Sequence, residues 1–580
     1  MKIIKWILNF LKKIVLFIVK EFFSFFIKLF LFLTIIIILF SVFNKKDEIN
    51  KNKKTNIYVS IDLSQDFKEK ATQENIIDEK KLNFYSLINN LKDMQFNENV
   101  KGVLFKLDNL ALDYAQIEEL SKELKNIKMN KNFEIVAYME EANRKNLYLA
   151  SFADKIYMPK THSTVVNIYP YFKESFYKKK FLEKLGVKVN IVNTGNYKSY
   201  GEDFASDEMS SEAREDTTRI LNENYQNFLD VVSENFNYSR NKLDEIIKNG
   251  ELVAASSQDL FEKKLISDYM YWDELLRKID REKIINLLEY EKDYKIASSI
   301  PSSPNKIYIV ALEGEIIQSD EEIFNGMFIA SQPIINTLDR LEKDESVKGL
   351  ILRINSPGGS ALTSDKINNR IKEFVKKKPV YVSMGGVAAS GGYYIASNAT
   401  KIFADENTIT GSIGVVSMIP NFSDLLNKAG VKSQKITEGK FADLYSSDAM
   451  TEEKYNKILN SNLKVYDDFL NEVSSGRRIP REKLEKIAEG RIWTGREAVQ
   501  IGLVDKVGSL SDTFFDMVND LGLGENYTAI FLEDEFDLKN IYKKYSKYLK
   551  TDKIELIKKE IYNDNLYNKP IMYMPYEIYE

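Results

Sequence analysis

The chain has 580 residues, 44% of them hydrophobic, and 82 Lys and Arg against 86 Asp and Glu give a formal net charge of −4. That is too long for one ordinary domain and predicts about two to four, each able to bury a core. Cysteine is absent and His162 is the single histidine, which excludes a thiol nucleophile and zinc sites built on several Cys or His ligands.

Residues 1–21 form a basic lead-in. Lys2, Lys5, Lys12, Lys13 and Lys20 fall within about half of a helical wheel, opposite Ile, Leu, Phe and Trp6, as on a helix lying on an anionic membrane face. Residues 22–43 follow as an apolar stretch broken by Ser24, Lys28, Thr34 and Ser41. It is long enough to span a bilayer, with Lys28 snorkelling. The next residues, Asn44 to Asp47, offer no small-residue cleavage site, so an uncleaved anchor is predicted. Lysines on the far side (Lys45, Lys46, Lys51, Lys53, Lys54) weaken the charge bias that favours an inside N-terminus. Residues 1–28 carry +5, which leaves −9 on 29–580. An acidic body of this kind argues against nucleic acid as a partner.

The remainder reads twice. NIYVSIDL (56–63) is echoed by KIYIVALEG (306–314), NENVKGVLFKLDN (97–109) by DESVKGLILRINS (344–356), and LYLASFADKIYM (147–158) by YYIASNATKIFA (393–404). An offset this long means tandem copies of a whole domain, not a solenoid. The predicted units are 56–297 and 306–533, joined by the Ser/Pro-rich linker 298–305 and followed by a Tyr-rich tail, 534–580. Within each, short β-rich runs alternate with helical segments such as Ser206–Asn235 and Lys366–Lys377, the pattern of an α/β fold with crossover connections.

The copies differ where chemistry is possible. VSMGGVAASGGYYIAS (382–397) puts Ser390 between a strand-like run and a helix-like one, a turn that projects a hydroxyl beside the following N–H. The plainer reading is a small-residue packing turn. With no thiol, and with His162 in a polar turn, the base left to such a serine is a lysine. The second copy also holds NSPGGS (355–360), where the first has DNLALD. Gly358 and Gly359 let the backbone approach a carbonyl and, with Gly391, form an oxyanion hole; an ordinary turn is the alternative. Conversely, the first copy holds TGNYKSYGEDF (194–204) around Lys198, with Ala442 opposite it in the second copy and Arg144 opposite Ser390 in the first. A lone lysine reads as solvated surface, but complementary loss at matching positions points to one site split between two copies.

At NSPGGS, AASGGYY, TGSIGV (410–415) and GNYKS together, the chain resembles the signal peptide peptidase A family in its long, two-repeat, membrane-anchored form. The resemblance covers nearly everything beyond the anchor. It implies a tandem repeat of two crotonase/Clp-protease-like α/β domains after a transmembrane helix, and a serine–lysine dyad that needs no metal or cofactor. Ser390 takes the place of the nucleophile, Lys198 of the general base and Ser412 of the serine that orients the lysine. The Gly358–Gly359 loop and Gly391 supply the oxyanion donors. The implied protein is a homotetramer on the outer side of the bacterial cytoplasmic membrane, degrading cleaved signal peptides and other apolar peptides. One departure is Tyr-Gly-Glu-Asp-Phe after Ser199, where the family more often has Ala-Val-Glu-Pro-Phe; this puts the loop shape in question, not the base. Two other readings compete: an acyl-CoA enzyme of the crotonase type on the same general fold, and a non-catalytic membrane scaffold.

Overall fold

The computed structural model describes residue 34 and residues 54–70, 82–129, 133–295, 303–318, 328–532 and 571–573. The predicted lead-in, the anchor apart from Thr34, most of the linker and the tail apart from 571–573 lie outside the described residues. No described helix is long and apolar enough to cross a membrane. Asn56–Glu580 forms one compact unit, separate from Met1–Thr55.

In the first repeat, Ile57–Asp62, Val100–Lys106, Glu134–Tyr138 and Lys155–Met158 run side by side as a parallel sheet, flanked by Ile284–Asn286 and Asp268–Tyr269. In the second, Lys306–Glu313, Val347–Ser356 and Val380–Ala389 form the middle of the corresponding sheet. Thr528–Leu532 closes one side; Ile409–Gly411 and the antiparallel Ile492–Thr494 close the other. These strands are near-continuous apolar runs because helices cover both of their faces. Parallel neighbours also require crossovers, which the helices provide. The segments expected at 206–235 and 366–377 appear as helices Ser211–Asn235 and Ala361–Val375. The first starts at Ser210, whose side chain accepts the Ala213 N–H; the second starts at Ser360, which caps Thr363 in the same way.

Each repeat has its own hydrophobic core, one drawn from Ile57–Tyr294 and the other centred on Val310–Val504. Among the described residues, two of the features that fasten the repeats together bear most on the site. The first is ionic: Arg353, fully buried in the second repeat, pairs with Glu69 at 2.9 Å and Glu119 at 2.6 Å from the first. Its guanidinium also donates to Ser383 Oγ and the Met384 carbonyl. Burial raises the Glu119 carboxyl above its ordinary range, and raises nearby Asp405 further, with the Glu119 charge adding to the effect. The second is a strand exchange. Lys188–Asn193 of the first repeat leaves its own sheet and pairs antiparallel with Val416–Asn421 of the second, from Asn193↔Val416 to Lys188↔Asn421. That pairing extends a small composite sheet and carries the next loop of the first repeat into the second.

Candidate active site

The strand Val380–Ala389 ends at Ser390 and the helix Gly391–Ala396 begins immediately after it. Ser390 adopts φ +55, ψ −116, a conformation costly for a residue with a Cβ, of order ~1–3 kcal/mol. It is held there by its own N–H donating to the Gly411 carbonyl at 2.8 Å and by its carbonyl accepting Tyr394 N–H at 2.8 Å. Ser412, next to Gly411, is also left-handed at φ +52, with its N–H on the Arg491 carbonyl. Opposite Ser390 in the first repeat, Arg144 already lies inside the helix Arg144–Ala150, which starts a residue earlier at Asn143.

Lys198 arrives from the other repeat. Past the exchanged strand, Thr194 is pinned by its N–H to the Val415 carbonyl at 2.8 Å, and its hydroxyl accepts Val415 N–H at 2.9 Å. The chain turns at Gly195, φ +87, and Tyr197 N–H donates to the Glu489 carbonyl. Asn193 Nδ2 donates to the Lys198 carbonyl at 2.9 Å. The Lys198 backbone then lies directly on Gly490, where any side chain would collide with it. Tyr200-Gly201 resolves into a left-handed turn at Gly201, φ +80, which starts the short helix Glu202–Ala205 and leaves Lys198 in place. Ala442, the counterpart of Lys198, is exposed on the surface of the second repeat.

The lysine amine ends among hydroxyls. Lys198 Nζ lies 2.8 Å from Ser390 Oγ, 2.9 Å from Ser412 Oγ and 2.9 Å from the Ser412 carbonyl oxygen. All three residues are 0% exposed. Burial pushes the Lys198 amine well below the ordinary lysine range, and no carboxylate among the described residues offsets it. Gly358, at φ +107, comes against Gly391: a Cβ on Gly358 would sit 2.8 Å from Gly391 N. The Gly358 N–H itself donates to Ser356 Oγ at 3.2 Å. Gly359, at φ +144, lies against the Ile316 carbonyl of the neighbouring strand.

All six residues singled out in the sequence therefore belong to one neighbourhood, assembled from both repeats. Sequence reasoning missed two parts of it. One is Gly490, whose role depends on a loop far away in the chain. The other is the strand Ile571–Tyr573 from the tail, which occupies the site; three residues in a polar tail carry no periodic signal.

A buried serine at a strand-to-helix turn, facing an amine in a parallel α/β repeat, defines the class: a serine hydrolase on a Clp-protease-like scaffold. The chain matches the family described as Peptidase family S49 over residues 127–286 and 372–523, one stretch in each repeat, and Clp protease over 302–409. It is 33% identical over 75% of its length to Protease 4 of Haemophilus influenzae, covering 72% of that protein. It is 30% identical to Protease 4 of Salmonella typhi over 74% of its length, covering 70% of that protein. To the chloroplastic serine protease SPPA of Arabidopsis thaliana it is 29% identical over 74% of its length, covering 64% of that protein. The chain belongs to peptidase family S49, with the family domain present twice, and is a serine peptidase of the signal peptide peptidase A type.

Proposed function

We propose that this chain hydrolyses apolar peptides, cleaved signal peptides foremost, through Ser390 as nucleophile and Lys198 as general base. The observation that carries this is the 2.8 Å approach of Lys198 Nζ to Ser390 Oγ in a site sealed from water. An ammonium group has three N–H donors and no lone pair; a neutral amine has two donors and one lone pair. Three oxygens surround Nζ. With the amine neutral, its two N–H bonds serve the Ser412 carbonyl and hydroxyl, and the lone pair accepts the Ser390 proton. Ser412 is thus a positioning residue that turns the lone pair towards the nucleophile. Burial is what keeps the amine neutral, since a free lysine titrates near ~10.4.

As Ser390 Oγ attacks, charge develops on the substrate carbonyl oxygen. The amides of Gly391 and of the Gly358–Gly359 loop are the donors we assign to it, each worth about 3–4 kcal/mol in such a role. Lys198 then passes its proton to the leaving amine, and water frees the acyl-serine by the same path in reverse. Residues 22–43 anchor the chain in the bacterial cytoplasmic membrane with the catalytic unit on the outer side, where signal-peptide fragments remain, and the chain assembles as a homotetramer. No cofactor takes part.

Ser390→Ala tests the core of this reading. It should abolish cleavage of an apolar fluorogenic peptide and labelling by a serine-directed fluorophosphonate while leaving the fold intact. Turnover above about a hundredth of wild type would refute it.

A further inference from the structure

Behind the lysine loop, the two repeats meet at a cluster of rings and charges around Arg491. This residue belongs to the second repeat and sits between Gly490 and the strand Ile492–Thr494. Its carbonyl accepts the Ser412 N–H at 2.7 Å. The strand that follows it pairs with the one carrying Gly411, Gly411↔Ile492, and the Gly411 carbonyl holds the Ser390 N–H. Its guanidinium crosses to the first repeat and stacks on the ring of Tyr197, 4.0 Å from the centroid, while donating to the Tyr197 hydroxyl at 2.6 Å. Tyr197 is the residue before Lys198. Arg491 therefore meets the supports of Lys198, Ser412 and Ser390 together.

The arginine is itself gripped from the first repeat, by helix Ser211–Asn235. Glu215 pairs with the guanidinium and accepts the Tyr197 hydroxyl proton at 3.0 Å. Asp216, 1% exposed, lies 3.3 Å from Arg491 Nε and accepts the Ile492 N–H at 3.0 Å. A planar fork that pairs with carboxylates and stacks on a ring at once is a use of arginine that lysine cannot reproduce. The fold alone does not ask for it. Matching the helix caps Ser256 and Thr494 of the two repeats puts Val253 opposite Arg491, and Val253 is 44% exposed. The arginine stands in the copy that receives the lysine loop.

We infer that Arg491 is a positioning residue for the dyad, clamping Tyr197 across the repeat interface so that Lys198 and Ser412 stay in register with Ser390; this rests on the serine–lysine reading above. Its effect is exerted at one remove from the reacting atoms, through where the amine lies and how deeply it is buried. Burial is what lowers the Lys198 pKa, so a loop freed at Tyr197 admits water and lets that pKa rise. Glu215 and Asp216, the carboxylates that grip Arg491, push in the same direction once the guanidinium no longer neutralises them.

The test compares Arg491→Met with Arg219→Met in the full-length chain, read by thermal melts and by kcat, KM and pH profile on an apolar fluorogenic peptide. Arg219 spans the same interface: it pairs with Asp216 at 2.9 Å and with Glu497, and stacks on Trp493 at 4.8 Å. Its loss weakens the contact between the repeats without releasing Tyr197. In Arg491→Met, Asp216 keeps Arg219 and the Ile492 N–H, so no buried carboxylate is stranded and the chain folds. Arg491→Met should lower kcat by about 10- to 100-fold with KM within about threefold, and should move the rising ionisation to higher pH. Arg219→Met should lower Tm while kcat and the ionisation stay near wild type. Tyr197→Leu removes the clamped ring and leaves the Arg491 ion pairs; it should repeat the Arg491→Met result, and it decides the matter if Arg491→Met does not fold. Wild-type kcat and pH profile in Arg491→Met or Tyr197→Leu would overturn the inference, as would Arg219→Met losing kcat and shifting the ionisation as far as Arg491→Met. Turnover by Ser390→Ala, run alongside, would overturn the serine–lysine reading itself, and this inference with it.

Discussion

Gly490 provides a test of the site that does not touch any reacting group. It lies in the second repeat at φ +84, and a Cβ there would come 2.5 Å from Lys198 N and 2.6 Å from Lys198 Cα and Cβ. Ordinary carbon contacts begin near ~3.5 Å, so Gly490→Ala requires the lysine loop to retreat by about 1 Å. The loop is backbone held by backbone, with Tyr197 N–H on the Glu489 carbonyl and Thr194 on Val415, so no flexible side chain absorbs the shift. An amine 2.8 Å from Ser390 Oγ then leaves proton-transfer range. Misplacement on this scale costs on the order of 10²-fold in kcat. The left-handed backbone adds ~1–2 kcal/mol of destabilisation. Gly250→Ala is the control: φ is +74, but nothing lies within 4 Å of the added methyl, so it carries the strain without the displacement. Peptide hydrolysis and thermal melts on both variants separate the two effects. Gly490→Ala folded as well as Gly250→Ala and within about threefold of its kcat would refute the claim that this glycine sets the lysine's position.

Three further outcomes follow from the same geometry. Activity should rise with pH through one ionisation well below that of free lysine, because only the neutral amine can accept the Ser390 proton; Lys198→Arg should be inactive at every pH, and an active arginine variant would exclude Lys198 as base. Arg353→Met should destabilise by ~3–5 kcal/mol in thermal unfolding, because it leaves Glu69 and Glu119 buried without their partner. The folded-state carboxyls of Glu119 and Asp405 titrate above their ordinary range, so any stability from holding their protons is present at low pH and is lost as pH rises. The gap in Tm between Arg353→Met and wild type should therefore widen from pH 5 to pH 8, and a gap independent of pH would count against an ionic role. Finally, the 2.8 Å contact joins Ser390 and Lys198 of one chain, so co-expressed Ser390→Ala and Lys198→Ala chains should stay inactive, and clear recovery would place the dyad between chains.

Much of this was legible in the sequence because two copies could be read against each other. The apolar runs around Val103 and Leu352 declare buried parallel strands, and the repeated spacing places them in equivalent sheets. Ser390 and Lys198 stood out since each has a counterpart that cannot do its work, Arg144 and Ala442. What did not show is how the halves are held together. Arg353 sits in LILRINS as one charge in a strand, and nothing nearby in the sequence identifies Glu69 and Glu119 as its partners. Lys188–Asn193 belongs to the first repeat by its position in the chain, while its hydrogen-bonding partner lies in the second. Pairings between distant segments leave no local pattern, and neither does a strand as short as Ile571–Tyr573.

On the proposed mechanism, those non-local contacts are what let a lysine serve as a base. Among the described residues no cation lowers the Lys198 pKa; burial is the cause, and part of that burial comes from the other repeat. In an isolated first repeat the same loop would lose Val415, Glu489 and Gly490, and the amine would lose the hydroxyls of Ser390 and Ser412. Exposed to water it would hold its proton at neutral pH and have no lone pair to offer. The second repeat alone would keep a strained serine with no base. On the proposed mechanism, a dyad divided between the copies makes docking of the repeats a condition of reactivity, and a partly folded chain would not act as a peptidase. On the same mechanism, the Arg353 cluster and the exchanged strand, which look purely structural, belong to the catalytic design because they hold together the interface that buries Lys198.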